Sequence, residues 1–266
     1  MRAFIQKVIN ARPFAALVGV CGGFALGRKQ CVHTPHPPSP LRTISVVIPT
    51  LNEADALPET IRRARAVPEV CEIIVVDGGS TDGTRAIAEQ FGARALSCAP
   101  GRGGQMRMGA AQARGDVVLL LHADTWLTPD SGRAALNCLR DDRVAAGGFW
   151  KTFRDGSPLL LGARWRCGLR LWVNGRILGD QAIFVRRNVL EKIGGVPDLP
   201  LMEELELCRR LRRVGRLALA DATITTSARR FAKLGVARTY WRMWRVMALY
   251  HLGWSPEELR RIYERE

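Results

Sequence analysis

The chain is poor in the residues that build metal clusters and disulfide frameworks: four histidines at 33, 36, 122 and 251, and seven cysteines at 21, 31, 71, 98, 138, 167 and 208. No two cysteines form a CxxC pair and no His or Cys spacing matches a zinc site, which excludes a zinc finger, a ribbon or a thioredoxin-type motif. The odd cysteine count is simplest to read as reduced thiols in a cytoplasmic protein. Lysine is also scarce, standing only at 7, 29, 151, 192 and 233, so the excess of 40 basic over 25 acidic residues is carried by arginine. A formal charge of +15 directs the protein toward anionic partners such as nucleoside diphosphates, nucleic acid or acidic lipid, and is silent on fold. There is no internal repeat, no Walker P-loop and no GxGxxG. A long apolar run is missing too. The nearest to one, 14–26, is broken by Gly19, Gly22 and Gly23 and is too short for a membrane span. Arg2, Lys7 and Arg12 precede it and HTPHPPSP (33–40) follows it. Residues 1–42 therefore read as a poorly ordered leader and linker, with a signal-like apolar centre but no small-residue cleavage site.

From residue 44 onward strands and helices alternate. Residues 44–48 (ISVVI), 73–76 and 117–121 (VVLLL) are continuous apolar runs, as strands buried on both faces require. Residues 95–98 make a weaker strand. Helices are expected after Asp55, with Leu57, Ile61 and Ala64 on one face; from Ser80 or Thr81 to Gly92; over 104–114; and from Thr128-Pro129 to Leu139. This alternation predicts βαβ units: an α/β fold with a mostly parallel, Rossmann-like sheet and helices on both faces. Past Ala145 the pattern loosens to strands near 147–153 and 182–186 and a helix over 203–214.

Ligands of open α/β sheets bind beyond the carboxyl ends of the strands, and the polar residues of this chain gather there. The first strand runs into Pro49-Thr50-Leu51-Asn52-Glu53, the second into Asp77-Gly78-Gly79-Ser80, and the apolar run 117–121 into His122-Ala123-Asp124. One carboxylate after a strand is often only a helix cap. Three at one sheet edge, with glycines beside the second, point to a binding site.

These segments, SVVIPTLNE (45–53), VVDGGSTDGT (75–84) and LHADT (121–125), resemble the family-2 glycosyltransferases, which have the GT-A fold. The chain looks closest to the bacterial branch associated with arsenosugar-type biosynthesis, through GRGGQMRMGA (101–110), GDQAIFVRR (179–187) and TSARRF (226–231). The resemblance implies a hexosyltransferase-type enzyme that moves a sugar from a nucleotide-diphosphate donor, usually a UDP-sugar, to an acceptor hydroxyl with inversion. Pro49, Thr50, Glu53 and Asp77 would hold the nucleoside. Asp124 would ligate Mg²⁺ or Mn²⁺ bridging the diphosphate, with His122 standing where the family's metal motif has its first acid. Gly78 likewise replaces the second acid of the usual VVDDGS. Glu204 is expected as the base that takes the acceptor's proton, with Glu203 supporting it, although acids in a first helical turn also complement the helix dipole. The family has Asp at the position of Glu204.

Arg102 and Gln105, in a glycine-rich turn leading into a helix, are expected to contact diphosphate or sugar. Asp180 and Gln181 would face the donor sugar or acceptor, and Arg229 and Arg230 the leaving diphosphate. The domain is expected over 43–235, with a nucleotide half (43–145) and an acceptor half (146–235), followed by amphipathic helices over 236–266. In that tail Val236, Tyr240, Met243, Met247 and Tyr250 share a face opposite Arg238, Arg242 and Arg245, which suits packing on the domain or peripheral contact with the inner face of a membrane. The acceptor would be a small molecule or lipid-like. A nucleotidyltransferase would need a basic glycine-rich loop after the first strand, where IPTLNE brings an acid instead. A nucleic-acid-binding protein would not cluster acids at strand ends, where they repel phosphate.

Overall fold

The computed structural model describes residues 41–154 and 162–265, apart from the side chains of Arg230, Glu264 and Arg265. The expected leader thus lies almost wholly outside the described residues. β1 (Ile44–Thr50) leads to α1 (Leu57–Arg65), β2 (Val70–Asp77) to α2 (Thr84–Gln90), and β3 (Arg94–Ser97) to α3 (Arg102–Ala111). After β4 (Val117–Leu120) come the short β5 (Thr125–Trp126), α4 (Ser131–Cys138) and β6 (Val144–Arg154). Next are α5 (Ala163–Asn174), a 3₁₀ turn (Gly179–Gln181), β7 (Ile183–Arg186), α6 (Arg187–Lys192) and α7 (Glu203–Leu211). The described chain ends with β8 (Arg216–Ser227), α8 (Arg229–Leu234), α9 (Val236–His251) and α10 (Pro256–Arg265).

The described strands form one sheet in the order β3-β2-β1-β4-β7-β6-β8-β5. Four of its pairings are parallel, and β7 is inserted antiparallel between β4 and β6. The period-two geometry of the strands sorts their side chains into two cores. Ile44, Val46 and Ile48 of β1 join Ile73 and Val75 of β2 and Val117 and Leu119 of β4 on one face, under Leu57, Ile61 and Ala64 of α1. Val47, Ile74, Val76, Val118 and Leu120 face the other way, against Met106 and Ala110 of α3 and Leu207 and Leu211 of α7. Both faces are thereby dry, which is why these strands read as unbroken apolar runs. Each fully buried Val, Ile or Leu contributes roughly 1.5–3 kcal/mol. The close approach of α3 depends on Gly109, where a Cβ would overlap Val47 Cγ1 and stand 2.9 Å from Val76 Cγ2.

Several boundaries differ from expectation. Asp55 does not cap α1: its cap position is Ala56, without a side-chain bond, and Glu53 O accepts instead from the N–H groups of Ala56 and Leu57. The α2 helix starts at Thr84, because residues 80–83 are used in the loop around Asp77. The α4 helix starts at Ser131, with Thr128 joined to it through its N–H, which donates to Ser131 Oγ at 3.0 Å. The twelve-residue β8 was not anticipated, nor was the two-residue β5. In α9 the residues buried deepest are Thr239 and Val246; the expected apolar face is only half-buried, and Trp241 and Trp244 turn outward.

Candidate active site

The sheet register brings the candidate acids to one edge. Thr50 at the end of β1 stands beside Asp77 at the end of β2, and Pro49 beside Val76. β4 ends two strands away from β2, and the antiparallel β7 begins next to it, with Ile183 beside Leu120. The 3₁₀ turn carrying Asp180 and Gln181 therefore sits at the same edge. β6 and β8 run parallel and finish together, Arg154 beside Ser227, which brings Arg229 there as well.

Asp77 is buried and fully engaged. Its Oδ2 accepts the N–H groups of Gly79 at 3.1 Å and Ser80 at 2.9 Å, and Oδ1 accepts the Thr50 hydroxyl at 3.3 Å and the Ser80 hydroxyl. Next to it Asn52 adopts φ 55. Its Oδ1 accepts the Thr81 N–H at 2.9 Å while its own N–H donates to Ser80 Oγ at 2.8 Å. Asp82 accepts from the N–H groups of Ala54 and Thr84, both at 3.0 Å, and its hydrogen bond from the Thr84 hydroxyl helps to hold its carboxyl below the usual range. Asn52, Ser80, Asp82 and Thr84 lock the two loops together. Sequence reasoning missed that role, although the density of Ser, Thr and Asp over 80–84 was its signal. Gln105 is buried, and its amide donates to Thr50 O and Val76 O, both at 2.7 Å. The residue expected to contact the donor is here a tie between two strand ends. A Cβ on Gly78 would stand 3.1 Å from Gln105 Nε2, so the glycine and the glutamine fit one another.

Arg229 bridges two strand ends. Its Nη2 donates to Glu53 Oε1 and its Nε stands 3.4 Å from Asp124 Oδ2. The hydrogen bond to Glu53 comes first among the causes that keep its guanidinium above its ordinary pKa. Glu53 Oε2 is buried without a hydrogen-bond partner. The side chain of Arg230 lies outside the described residues.

A second cluster joins α3, the end of β4 and the start of α7. Arg102 Nε donates to Glu203 Oε1, and Arg102 Nη2 lies 3.2 Å from Glu204 Oε1. His122 Nε2 stands 3.3 Å from the same Glu204 oxygen and 3.5 Å from Arg102 Nη1. The other Glu204 oxygen accepts the Gly179 N–H at 2.7 Å. Burial works against charge on Glu204, but Arg102, His122 and the Gly179 amide outweigh it and hold its carboxyl well below the usual range. Glu203 is driven the other way by burial, with Glu204 adding to the rise and Arg102 opposing it. Arg102 loses by burial and gains more from Glu204 and Glu203, so it stays charged. Position 179 must be glycine, since a Cβ there would overlap Glu204 Oε1 and stand 2.6 Å from His122 Nε2.

Asp180 is paired with the buried Lys151, a residue sequence reasoning did not single out. Burial disfavours the Asp180 carboxylate, yet Lys151 holds its pKa down, and Oδ1 has no hydrogen-bond partner. Gln181 is buried and engaged, accepting from Arg170 and from Leu178 N–H at 3.2 Å and donating to Phe149 O at 3.2 Å. Among the described residues, the non-glycine positions with positive φ are Asn52, Ala182 and Met202. They flank Glu53, Gln181 and Glu203. Backbone strain of this kind costs ~1–3 kcal/mol at each residue and collects where a site fixes side-chain direction.

Among the described residues no three His, Cys, Asp or Glu form a group able to enclose a metal ion. A divalent cation such as Mg²⁺ is commonly held by one or two carboxylates together with substrate phosphates and water. Asp124, with the unpartnered Glu53 oxygen also at this edge, fits that second arrangement. His122 Nε2 is turned to Glu204 and Arg102.

A mostly parallel sheet that brings a buried Asp loop, a strand-end Asp and a paired glutamate cluster to its carboxyl edge defines a glycosyltransferase of the GT-A type. The chain belongs to glycosyl transferase family 2, whose family model matches residues 45–191, more than half of the sequence. An uncharacterized glycosyltransferase of Escherichia coli (strain K12), YaiP, is 29% identical over 223 residues, covering 76% of this chain and 55% of that protein. The undecaprenyl-phosphate 4-deoxy-4-formamido-L-arabinose transferase of Pseudomonas fluorescens (strain Pf0-1) is 35% identical over 105 residues, 35% of this chain and 31% of that one. The chain thus spans from under a third to about half of these relatives. Glucosyl-3-phosphoglycerate synthase from Mycobacterium tuberculosis, solved with Mn²⁺, UDP and glucosyl-3-phosphoglycerate, is 26% identical with a TM-score of 0.51 over 70% of each chain. The mannosyltransferase PcManGT from Pyrobaculum calidifontis, solved with GDP-Man and Mn²⁺, shares the fold at 20% identity and a TM-score of 0.59, over 86% of this chain and 70% of its own.

Proposed function

We propose that this enzyme transfers a sugar from a UDP-sugar to an acceptor hydroxyl with inversion, using Asp77, Glu53 and Thr50 toward the nucleoside and Glu204 toward the acceptor. The observation that carries this reading is the arrangement of the edge: the Asp77 loop at the end of β2, the Glu203–Glu204 pair against His122 after β4 and Gly179 before β7, and Arg229 joining Glu53 to Asp124. Asp124 would hold a divalent cation together with the donor's diphosphate, and when bound that cation stabilises charge on the leaving group. Arg102 and Arg229 would add positive charge from the protein itself. Arg102 touches both glutamates, so a diphosphate that competes for its guanidinium releases Glu204 Oε1 to take the acceptor's proton. Glu204, which stands where the family has Asp, remains tied to the Gly179 amide and so keeps its direction.

The finer resemblance, to the arsenosugar-associated branch, is supported by the positions of its segments: Arg102, Asp180 and Arg229 all belong to the edge just described. The acceptor on this reading is a small or lipid-like molecule, reached on the cytoplasmic side of the membrane. Thermal shift of the purified protein against UDP and GDP, with Mn²⁺ or with excess chelator, tests the core of the proposal. Stabilisation by nucleotide should require the cation and should be lost in Asp124→Asn, whose melting without ligand stays that of the parent. Equal stabilisation in chelator and in Mn²⁺ would remove the cation from the mechanism.

A further inference from the structure

Helices α5 and α9, twelve and sixteen residues long, contain no Asp or Glu. They hold six arginines (164, 166, 170, 238, 242 and 245) and four tryptophans. Long side chains join the two helices. The Arg166 guanidinium is 5.7 Å from the centre of the Tyr240 ring, and Arg176, just past α5, reaches Met247 Sδ at 3.9 Å and His251 Nε2 at 2.6 Å. Each helix buries one stripe, Ala163 and Cys167 in α5, Thr239 and Val246 in α9. The opposite stripes face solvent: Trp165 (66% exposed), Leu169 (60%), Trp172 (73%) and Val173 (59%) in α5, and Trp241 (59%) and Trp244 (61%) in α9. Trp241 and Trp244 stack on one another, their ring centres 5.2 Å apart.

Single exposed apolar residues are ordinary, but four exposed tryptophans on two helices that touch mark a surface that meets something apolar. Its composition decides what. Tryptophan is the side chain that settles at the boundary between headgroups and acyl chains, and arginines around it suit lipid phosphates. A second copy of this chain is a poor partner, because a two-fold contact would set arginine against arginine with no acid on either helix to pair with them. No described helix is long and apolar enough to cross a membrane, so the contact is peripheral.

We propose that the α5–α9 face docks on an anionic lipid bilayer, with Trp165, Trp172, Trp241 and Trp244 entering the interface and the exposed Arg238 meeting lipid phosphates. The docking stands independently of the transfer reading. It does have a consequence for that reading: α5 runs within a few residues into Gly179 and Asp180, so the acceptor side of the candidate site is held near the lipid surface.

The test uses the full chain and vesicles of phosphatidylcholine, alone or mixed with phosphatidylglycerol, and needs no sugar donor. The protein should sediment with the anionic vesicles, less so as salt rises, and brominated lipid should quench its tryptophan fluorescence. The variant W165A/W172A/W241A/W244A should partition at least about tenfold less, with its circular dichroism and nucleotide-induced thermal shift unchanged. Should that variant fold poorly, Arg238→Glu is the second probe and should weaken binding in the same direction. Failure of the parent chain to bind anionic vesicles overturns the proposal. Undiminished binding by a folded variant does so too, and would assign any vesicle affinity to another part of the chain. A parent dimer that the tryptophan variant dissolves, with no vesicle binding by either, would make the face a contact between copies instead.

Discussion

At the scale of single residues, Glu203 and Glu204 are adjacent in sequence and opposite in circumstance. Glu204 receives a backbone amide, an imidazole contact and a guanidinium, whereas Glu203 has Arg102 alone among its side-chain partners. Glu204→Gln should lower sugar transfer by at least about a hundredfold with little change in nucleotide affinity, because a lost base typically costs ~10²–10⁴ in rate. Glu203→Gln should instead disturb the placement of Arg102 and weaken donor or acceptor binding. Steady-state kinetics with an identified acceptor, or donor hydrolysis in its absence, separates the two. Turnover that survives Glu204→Gln but not Glu203→Gln would reverse the roles. Asp77, Asp124 and the glutamate pair were legible in the sequence because each follows a strand or opens a helix within a few residues. Lys151, Gly179 and Met202 were not. Their importance comes from contacts with residues 25–29 positions away, or from a backbone angle, and neither leaves a local pattern.

At the scale of elements, legibility followed side-chain volume. β1, β2 and β4 announce themselves through Val, Ile and Leu on both faces, while β8 buries Leu217, Ala220, Ala222, Ile224 and Thr226 along RLALADATITTS. Small and hydroxyl side chains in that alternation give little hydrophobic signal, and pairing with β6 and β5 makes the strand. The antiparallel β7 was recognised as a strand, but its direction depends on connections that periodicity does not carry. The entry into β1 is fixed to β4 by Asp116, whose Oδ2 accepts from Arg42 N–H at 2.9 Å, Thr43 N–H at 3.1 Å and the Thr43 hydroxyl at 3.0 Å. Burial raises the pKa of this carboxyl, but the three donors outweigh it and the net shift is downward. A depressed carboxyl stabilises the fold fully above its unfolded value, near 3.9, and loses that contribution as pH falls through the folded value. Asp116→Asn should therefore cost about 1–2 kcal/mol at pH 7 in urea melts, and the gap to the parent should close below about pH 4. A gap that persists unchanged to low pH would mean that charge on Asp116 is not what holds the strands.

At the scale of the whole molecule, every residue placed in the candidate site lies after Arg42, and the sheet begins at Ile44. A chain starting at Leu41 should bind nucleoside diphosphate as tightly as the full sequence. A tenfold loss of affinity in a folded truncation, read by titration, would bring the first forty residues into the site. The order of the sheet has a further consequence, for synthesis on the ribosome. β4 and β6 are both made before β7, yet in the finished sheet β7 lies between them. Until residues 183–186 emerge, the nascent chain has a gap in the middle of its sheet, bounded by two strands whose edges have no mate. Open edges of that kind invite pairing with other chains. A message broken off before codon 183 would thus yield a product prone to aggregate, because one four-residue strand is the seam between β4 and β6.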